Sequence, residues 1–158
     1  MRMLRHLALL SLAVGLTVAA CDDDDETGPT GRSFTANLLG TNERPTPVTT
    51  GVTGTATMTV PNNSNLMTWT INVANVPAND TITVAHIHKG VPDSAGSIVV
   101  DFLATFTRGG GGTTATASGT TAVPDSVFTL ISGNRAYVNV HSRRNGGGVT
   151  RGQVVQQP

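Results

Sequence analysis

The sequence predicts an all-β protein, an antiparallel β-sandwich or barrel of about eight or nine short strands. Three observations support this fold class. Apolar and polar residues alternate with a period of two along most of the chain beyond residue 32. Glycine, proline and asparagine interrupt these runs at intervals typical of turns between strands. No stretch of useful length in this region has the periodicity of an amphipathic helix.

The first twenty residues have the pattern of a cleaved export signal. Two arginines precede the apolar run 7–18, which is too short to span a membrane as a helix. The tetrapeptide Val18-Ala19-Ala20-Cys21 resembles the bacterial lipobox, in which the cysteine thiol receives a diacylglycerol. We therefore expect residues 1–20 to be removed and Cys21 to be lipidated, which anchors the chain to a membrane. The alternative is an ordinary secretory signal with an incidental cysteine.

A flexible tether is expected after the lipidated cysteine, over residues 21–32. Its residues 22–26 are an unbroken acidic run, and glycine and proline follow. Repelling charges and chain-breaking residues do not pack into a core. Cys21 is the only cysteine, so the exported domain has no disulfide and depends on its core. The predicted location is the bacterial cell envelope, either facing the periplasm or displayed on the cell surface.

The charge of the domain excludes one class of partner. Removing the signal and the acidic run leaves eight basic and five acidic residues. This mildly basic balance lacks the clustered footprint of a nucleic-acid-binding protein, so no nucleic-acid partner is expected. Four arginines lie towards the C-terminus, where they could face an anionic polysaccharide or lipid surface or simply water. They are Arg135, Arg143, Arg144 and Arg151.

The folded domain is predicted to span residues 33–158 and to contain nine strands. In the first three, apolar residues occupy one face, and in the second strand the other face carries only threonines, as in a sheet with one solvated side. Trp69, the only tryptophan, is expected to anchor the core. The nine predicted strands are 33–39, 52–60, 66–73, 81–88, 97–103, 113–118, 126–131, 135–141 and 149–155.

Three histidines lie on two of these strands. His86 and His88 are one residue apart, so their side chains point to the same face of one strand. His141 ends a second strand, and three imidazoles from two strands can bind copper or zinc. The alternative is a structural network, in which the rings bond to backbone groups, to Asn139 or to Asp101.

A polar cluster is expected to support these histidines. Tyr137, Asn139 and His141 share one face of their strand, and Arg151 is expected on the next strand. No catalytic residue is predicted, because the carboxylates are scattered and Ser142 faces away from His141. Glu43, in a loop beside a proline, is expected to be exposed to solvent.

Three blocks in chain order resemble the CHRD (chordin-type) domain family. Residues 37–45 are similar to its opening L-x-G-x-x-E-x-P, and residues 85–90 to its central AHIHxG. Residues 137–142 and 151–153 resemble its closing YVNVHT…GEIRGQ. The resemblance implies a compact β-rich extracellular module with no established catalytic activity. The family includes animal chordin, which binds growth factors of the bone-morphogenetic-protein type, and bacterial secreted proteins.

One departure from the family concerns a carboxylate. Where the family has Gly-Glu-Ile-Arg-Gly, this chain has Gly148-Val149-Thr150-Arg151-Gly152. The glutamate of the motif is missing, so its role as a metal ligand or as the partner of Arg151 is in doubt here.

These observations lead to two functional hypotheses. The first is an envelope-anchored lipoprotein whose domain, in the style of an immunoglobulin or superoxide dismutase fold, is a non-enzymatic binding or structural module. Its partner would be an envelope or extracellular protein or a glycan. The second is a metal-binding or redox protein that holds copper or zinc with His86, His88 and His141.

Overall fold

A computed structural model of the protein describes residues 31–158, so the predicted signal, Cys21 and most of the tether lie outside the described residues. Two 3-10 turns lie at Gly40–Asn42 and Gly110–Gly112. The regular elements are β1 (Gly31–Leu39), β2 (Thr53–Pro61), β3 (Leu66–Ala74), β4 (Ile82–Lys89), β5 (Ile98–Asp101), β6 (Thr107–Gly109), β7 (Thr114–Ala122), α1 (Asp125–Ser132), β8 (Ala136–Ser142), β9 (Thr150–Gln153) and β10 (Val155–Gln156).

The strands form one antiparallel sheet that curls into a half-barrel. Its strand order is β5-β4-β8-β9-β1-β2-β3-β7-β6, and β10 pairs with β1 beside this path. The all-β, antiparallel prediction is confirmed. Strand β6 is an addition to the prediction, and the predicted strand 149–155 is divided into β9 and β10. Among the described residues, no helix has the length and hydropathy needed to cross a membrane.

The inner face of the sheet carries the core. Every second residue of β1, β2 and β3 is buried there, as the alternation predicts. Trp69 is 3% exposed, and its indole N–H donates a hydrogen bond to Thr121 Oγ1 over 2.9 Å. Gly119 lies opposite Trp69 on β7, and a Cβ there would come within 2.7 Å of the indole ring. This close approach explains why the strand has a glycine at that position.

The prediction of a strand at 126–131 is wrong, because α1 covers Asp125–Ser132. Val127, Phe128 and Ile131 are buried, and their spacing places them on one side of a helix. The Phe128 ring stacks on Phe34 with centroids 6.0 Å apart. The sequence contains signals for a helix start and end, since Pro124 precedes the helix, Asp125 lies in its first turn and Gly133 follows its last turn. A six-residue apolar run leaves strand and helix ambiguous without those signals.

Strand β8 is buried on both faces along its whole length. Its inner residues, such as Val138 and Val140, belong to the core, whereas its outer residues are covered by loops. It lies between β4 and β9, with His86 opposite Asn139 and Asn139 opposite Arg151. The outer face of these three strands therefore becomes a covered polar surface.

Candidate metal centre

The three histidines converge on the outer face of β4 and β8. The register of the two strands places Val84 opposite His141, two residues before His86, so the imidazole of His141 reaches back to that of His86. Nδ1 of His86 lies 3.1 Å from Nε2 of His141. Each of the three histidines offers one ring nitrogen, and these three atoms all lie within 4.8 Å of one another. The structure thus brings together all three histidines that the sequence singled out.

Two of the rings are oriented by backbone carbonyl groups. Nδ1 of His88 donates to the carbonyl oxygen of Gly96 over 2.8 Å, and Nδ1 of His141 donates to that of Gly146 over 3.0 Å. Since a carbonyl only accepts, a ring with one proton carries it on Nδ1, and its Nε2 has a lone pair. Nε2 of His88 is buried and has no hydrogen-bond partner among the described residues.

The spacing of the nitrogens is close to that of a metal site. In a tetrahedral zinc site with Zn–N bonds of about 2.0–2.1 Å, two ligand nitrogens are roughly 3.3–3.4 Å apart. The 3.1 Å between His86 and His141 would have to open by only a few tenths of an ångström. The donor nitrogen of His88 lies within 4.8 Å of the other two.

Burial favours the neutral form of His86 and His88, which is the form that metal binding requires. Burial lowers the pKa of His86, and the neighbouring His141 lowers it further. Burial also lowers the pKa of His88. The hydrogen bond to Gly96 raises this pKa, whereas His141, His86 and Arg151 lower it further. His88 and His141 are each 9% exposed. The lowered pKa values of His86 and His88 thus favour rings that have a lone pair free for a metal.

Tyr137 and Arg151 support His88 from behind. The Tyr137 ring stacks on the His88 ring with centroids 5.0 Å apart and planes 12° from parallel, and the Arg151 guanidinium lies 3.4 Å above the other face of Tyr137. The Tyr137 hydroxyl accepts the N–H of Gly96 over 3.1 Å, so it also fixes the carbonyl that orients His88. A Cβ at Gly96 would overlap the carbonyl oxygen of Lys89.

Arg151 is not part of an exposed basic surface. It is 1% exposed, and its Nη2 donates to the carbonyl oxygen of Val91 over 3.0 Å. The expectation that it lies with the other C-terminal arginines on an anion-facing surface is therefore wrong for this residue. The remaining three, Arg135, Arg143 and Arg144, are exposed.

Asn139 links the cluster to Glu43. The Asn139 amide donates to Glu43 Oε2 over 3.3 Å, and Glu43 is only 3% exposed, so its predicted exposure to solvent is wrong. Burial raises the pKa of Glu43 to about 7, and this rise is opposed by the charge of Arg151 and by the Asn139 bond. Glu43 thus brings a carboxylate near Arg151, although the glutamate of the closing motif is missing. The signal that could have revealed it was its place in the first family block.

Ser142 faces away from His141, as expected from its position on the strand. Its hydroxyl donates to Asp80 Oδ2 over 2.7 Å, and both residues are buried. This pair is on the core side of β8 and does not touch the histidine cluster.

The described residues form an all-β module with a covered polar face. A family model described as CHRD domain matches residues 34–154, which is most of the chain. The protein therefore belongs to the CHRD domain family, and the resemblance found in the sequence is confirmed. No curated protein and no solved structure matches the chain.

Proposed function

We propose that this protein binds one zinc or copper ion through His86, His88 and His141. The observation that carries the proposal is the convergence of three ring nitrogens within 4.8 Å on one face of the sheet. One of them, Nε2 of His88, is buried without a partner among the described residues. Buried polar atoms are nearly always hydrogen-bonded, so this exception needs an explanation, and a ligand role supplies one.

The donor set favours zinc(II) or copper(II). All three donors are imidazoles, which suit both metals. Because imidazole ligands bring no negative charge, the bound ion would keep its full positive charge. Three protein ligands leave at least one position for water or a small anion. With copper, this arrangement would permit electron transfer as well as binding.

A structural network is the competing explanation of the same histidines. In its favour, two of the rings bond to backbone carbonyl groups. The same bonds are also what metal-ligating histidines make with their second nitrogen. The unpartnered nitrogen of His88 favours the metal site over the network.

The metal site would act at the bacterial cell envelope. Support comes from the lipobox-like Val18-Ala19-Ala20-Cys21, the acidic segment after it, and membership of a family of extracellular modules. The protein would then be a lipid-anchored, non-enzymatic binding module that holds its metal outside the cytoplasm. An envelope or extracellular protein or a glycan would be its partner.

Metal titration of the purified full-length protein tests the metal site. We expect one Zn²⁺ or Cu²⁺ per chain in isothermal titration calorimetry, and nitrogen hyperfine structure in the electron paramagnetic resonance spectrum of the copper form. His88→Ala and the double variant His86→Ala/His88→Ala should lose at least tenfold in affinity. Thr57→Ala, an exposed change on β2, is the matched control and should bind like the wild type.

Two results would overturn the proposal. One is a wild-type protein that takes up neither metal, and the other is a double variant that binds as tightly as the wild type. Circular dichroism of each variant separates loss of the site from loss of the fold. If the wild type binds no metal, the histidines are a structural network.

A further inference from the structure

His86 differs from the other two histidines in the way its ring is held. His88 and His141 each donate from Nδ1 to a backbone carbonyl and turn Nε2 towards the cluster. His86 is reversed, because its Nδ1 faces the other histidines and its Nε2 points to the neighbouring strand. What lies at Nε2 therefore decides whether Nδ1 can act as a metal donor.

The group at Nε2 is the carboxylate of Asp101. Asp101 lies directly opposite His86 in the β4–β5 register, and its Oδ1 is 3.8 Å from Nε2 of His86. The same Oδ1 accepts the backbone N–H of Leu103 over 2.8 Å. An Asp side chain that accepts the N–H of the residue two positions later forms a local turn that fixes the carboxylate. The N–H of Leu103 thus holds the carboxylate beside the ring.

The distance of 3.8 Å has a chemical reason. Because the Nδ1 proton of His141 is donated to Gly146, its Nε2 is the acceptor, and the proton in the contact between the two rings belongs to Nδ1 of His86. Nε2 of His86 is then unprotonated and faces another acceptor, so no hydrogen bond forms and the two groups stay apart. In this geometry His86 therefore carries its proton on Nδ1, the nitrogen that would bind a metal.

We propose that Asp101 is the positioning residue of the site and that, when the ion binds, it stabilises the Nε2-protonated tautomer of His86, which leaves Nδ1 free for the metal. The role rests on the proposed metal site. When an ion takes Nδ1, the ring proton moves from Nδ1 to Nε2, and Asp101 accepts it in a hydrogen bond of about 2.7–2.9 Å. The contact between the rings of His86 and His141 is replaced by the ion, and no proton is gained or lost by the ring.

Two variants of Asp101 test this role in the full-length protein, with Zn²⁺ as the probe. Asp101→Ala removes the acceptor and should weaken zinc binding by about 10- to 100-fold, the usual cost of losing such a partner. Asp101→Asn keeps an oxygen that can accept the N–H, so it should restore part of the affinity. Asp93→Asn is the matched control, because Asp93 is exposed and pairs with Arg44.

Long-range ¹H–¹⁵N NMR of the imidazole nitrogens shows which nitrogen of His86 carries the proton. A purely structural role of Asp101 would not change that position. In the wild type, we expect the His86 proton on Nδ1 without zinc and on Nε2 with zinc. In Asp101→Ala, the zinc-bound signal should be lost or split between tautomers. In a His86→Ala background, Asp101→Ala should cost no further affinity, since the carboxylate acts through that ring.

The outcomes separate the two proposals. Zinc binding by the wild type with unchanged affinity and tautomer in Asp101→Ala would overturn the role of Asp101 and leave the metal site intact. The role of Asp101 would also be overturned if Asp101→Ala weakened zinc binding as much in the His86→Ala background as in the wild type. Absence of zinc binding in the wild type would overturn the metal site, and the role of Asp101 with it.

Discussion

Glu43 shows how burial changes the chemistry of a single residue. Its carboxyl is covered beside Asn139, and burial raises its pKa to about 7 from the ordinary value of 4.5. The charge of Arg151 and the hydrogen bond from Asn139 favour the ionised form, but the loss of solvent outweighs them. At neutral pH the side chain is therefore close to half protonated.

The first prediction concerns the pH dependence that Glu43 causes. The folded chain holds this proton to higher pH than the unfolded chain, so unfolding releases it between pH 4.5 and about 7. The contribution of Glu43 to the free energy of unfolding therefore falls as pH rises through this range and is constant above it. Glu43→Gln removes the titration, and its free energy of unfolding should fall less than that of the wild type.

Urea unfolding from pH 4 to pH 8 measures this difference. Asp93→Asn, which removes an exposed carboxylate, is the control and should follow the wild type. Parallel pH profiles for Glu43→Gln and the wild type would show that Glu43 titrates alike in the folded and unfolded chains.

The elements around β8 are joined by hydrogen bonds of buried side chains as well as by the sheet. Asp80, just before β4, accepts bonds from the Ser142 hydroxyl at 2.7 Å and from the N–H groups of Thr81 and Arg144 at 2.8 and 3.1 Å. Although burial opposes ionisation, these bonds and the charge of Arg144 together lower the pKa of Asp80 below 3.8. Asp80 therefore holds the start of β4 to the end of β8.

The second prediction is a loss of stability in Asp80→Ala. Removing the carboxylate leaves the buried hydroxyl and N–H groups without an acceptor, which should cost about 2–4 kcal/mol of the free energy of unfolding. Because the carboxylate of the wild type is more acidic in the folded chain, its contribution is present above pH 3.8 and lost below it. The difference in the free energy of unfolding between Asp80→Ala and the wild type should therefore be smaller in acid.

Denaturant unfolding at pH 7 and at pH 3 checks both parts of this prediction. Asp93→Ala, a change at an exposed carboxylate, should leave stability nearly unchanged. A variant as stable as the wild type at pH 7 would show that water or another group replaces the carboxylate.

For the whole molecule, the proposed anchor would place the domain at a membrane. Attachment would then depend on the lipid at Cys21. The acidic segment 22–26 would then separate the domain from the bilayer surface. A metal site on a lipid-tethered domain would remain in the aqueous space beside the membrane.

The third prediction concerns this attachment. In a bacterial host that lipidates exported proteins, the wild type should fractionate with membranes and incorporate an alkyne-labelled fatty acid. Cys21→Ser removes the only thiol, so the variant should lose the label and leave the membrane fraction. Ser33→Ala serves as the matched control. A labelled, membrane-bound Cys21→Ser variant would contradict lipidation at this residue.

The sequence by itself determined the features that follow from local periodicity. A side chain on a strand alternates faces whatever the rest of the fold does, so the inward faces of β1, β2 and β3 could be predicted. For the same reason, His86 and His88 had to share a face. Motif spacing determined the family. The short apolar run in α1 fitted the periodicity of a strand as well as that of a helix, and the structure had to decide between them.

The tertiary structure alone decided which distant residues meet. The approach of His141 to His86 depends on the register of β4 and β8, and one residue of slip would turn the ring to the core. Asn139 and Glu43 are 96 residues apart, and their contact depends on how a loop folds over the sheet. Burial of Glu43 and Arg151 follows from that packing, because the cost of desolvation is set by all neighbours together and by no local pattern.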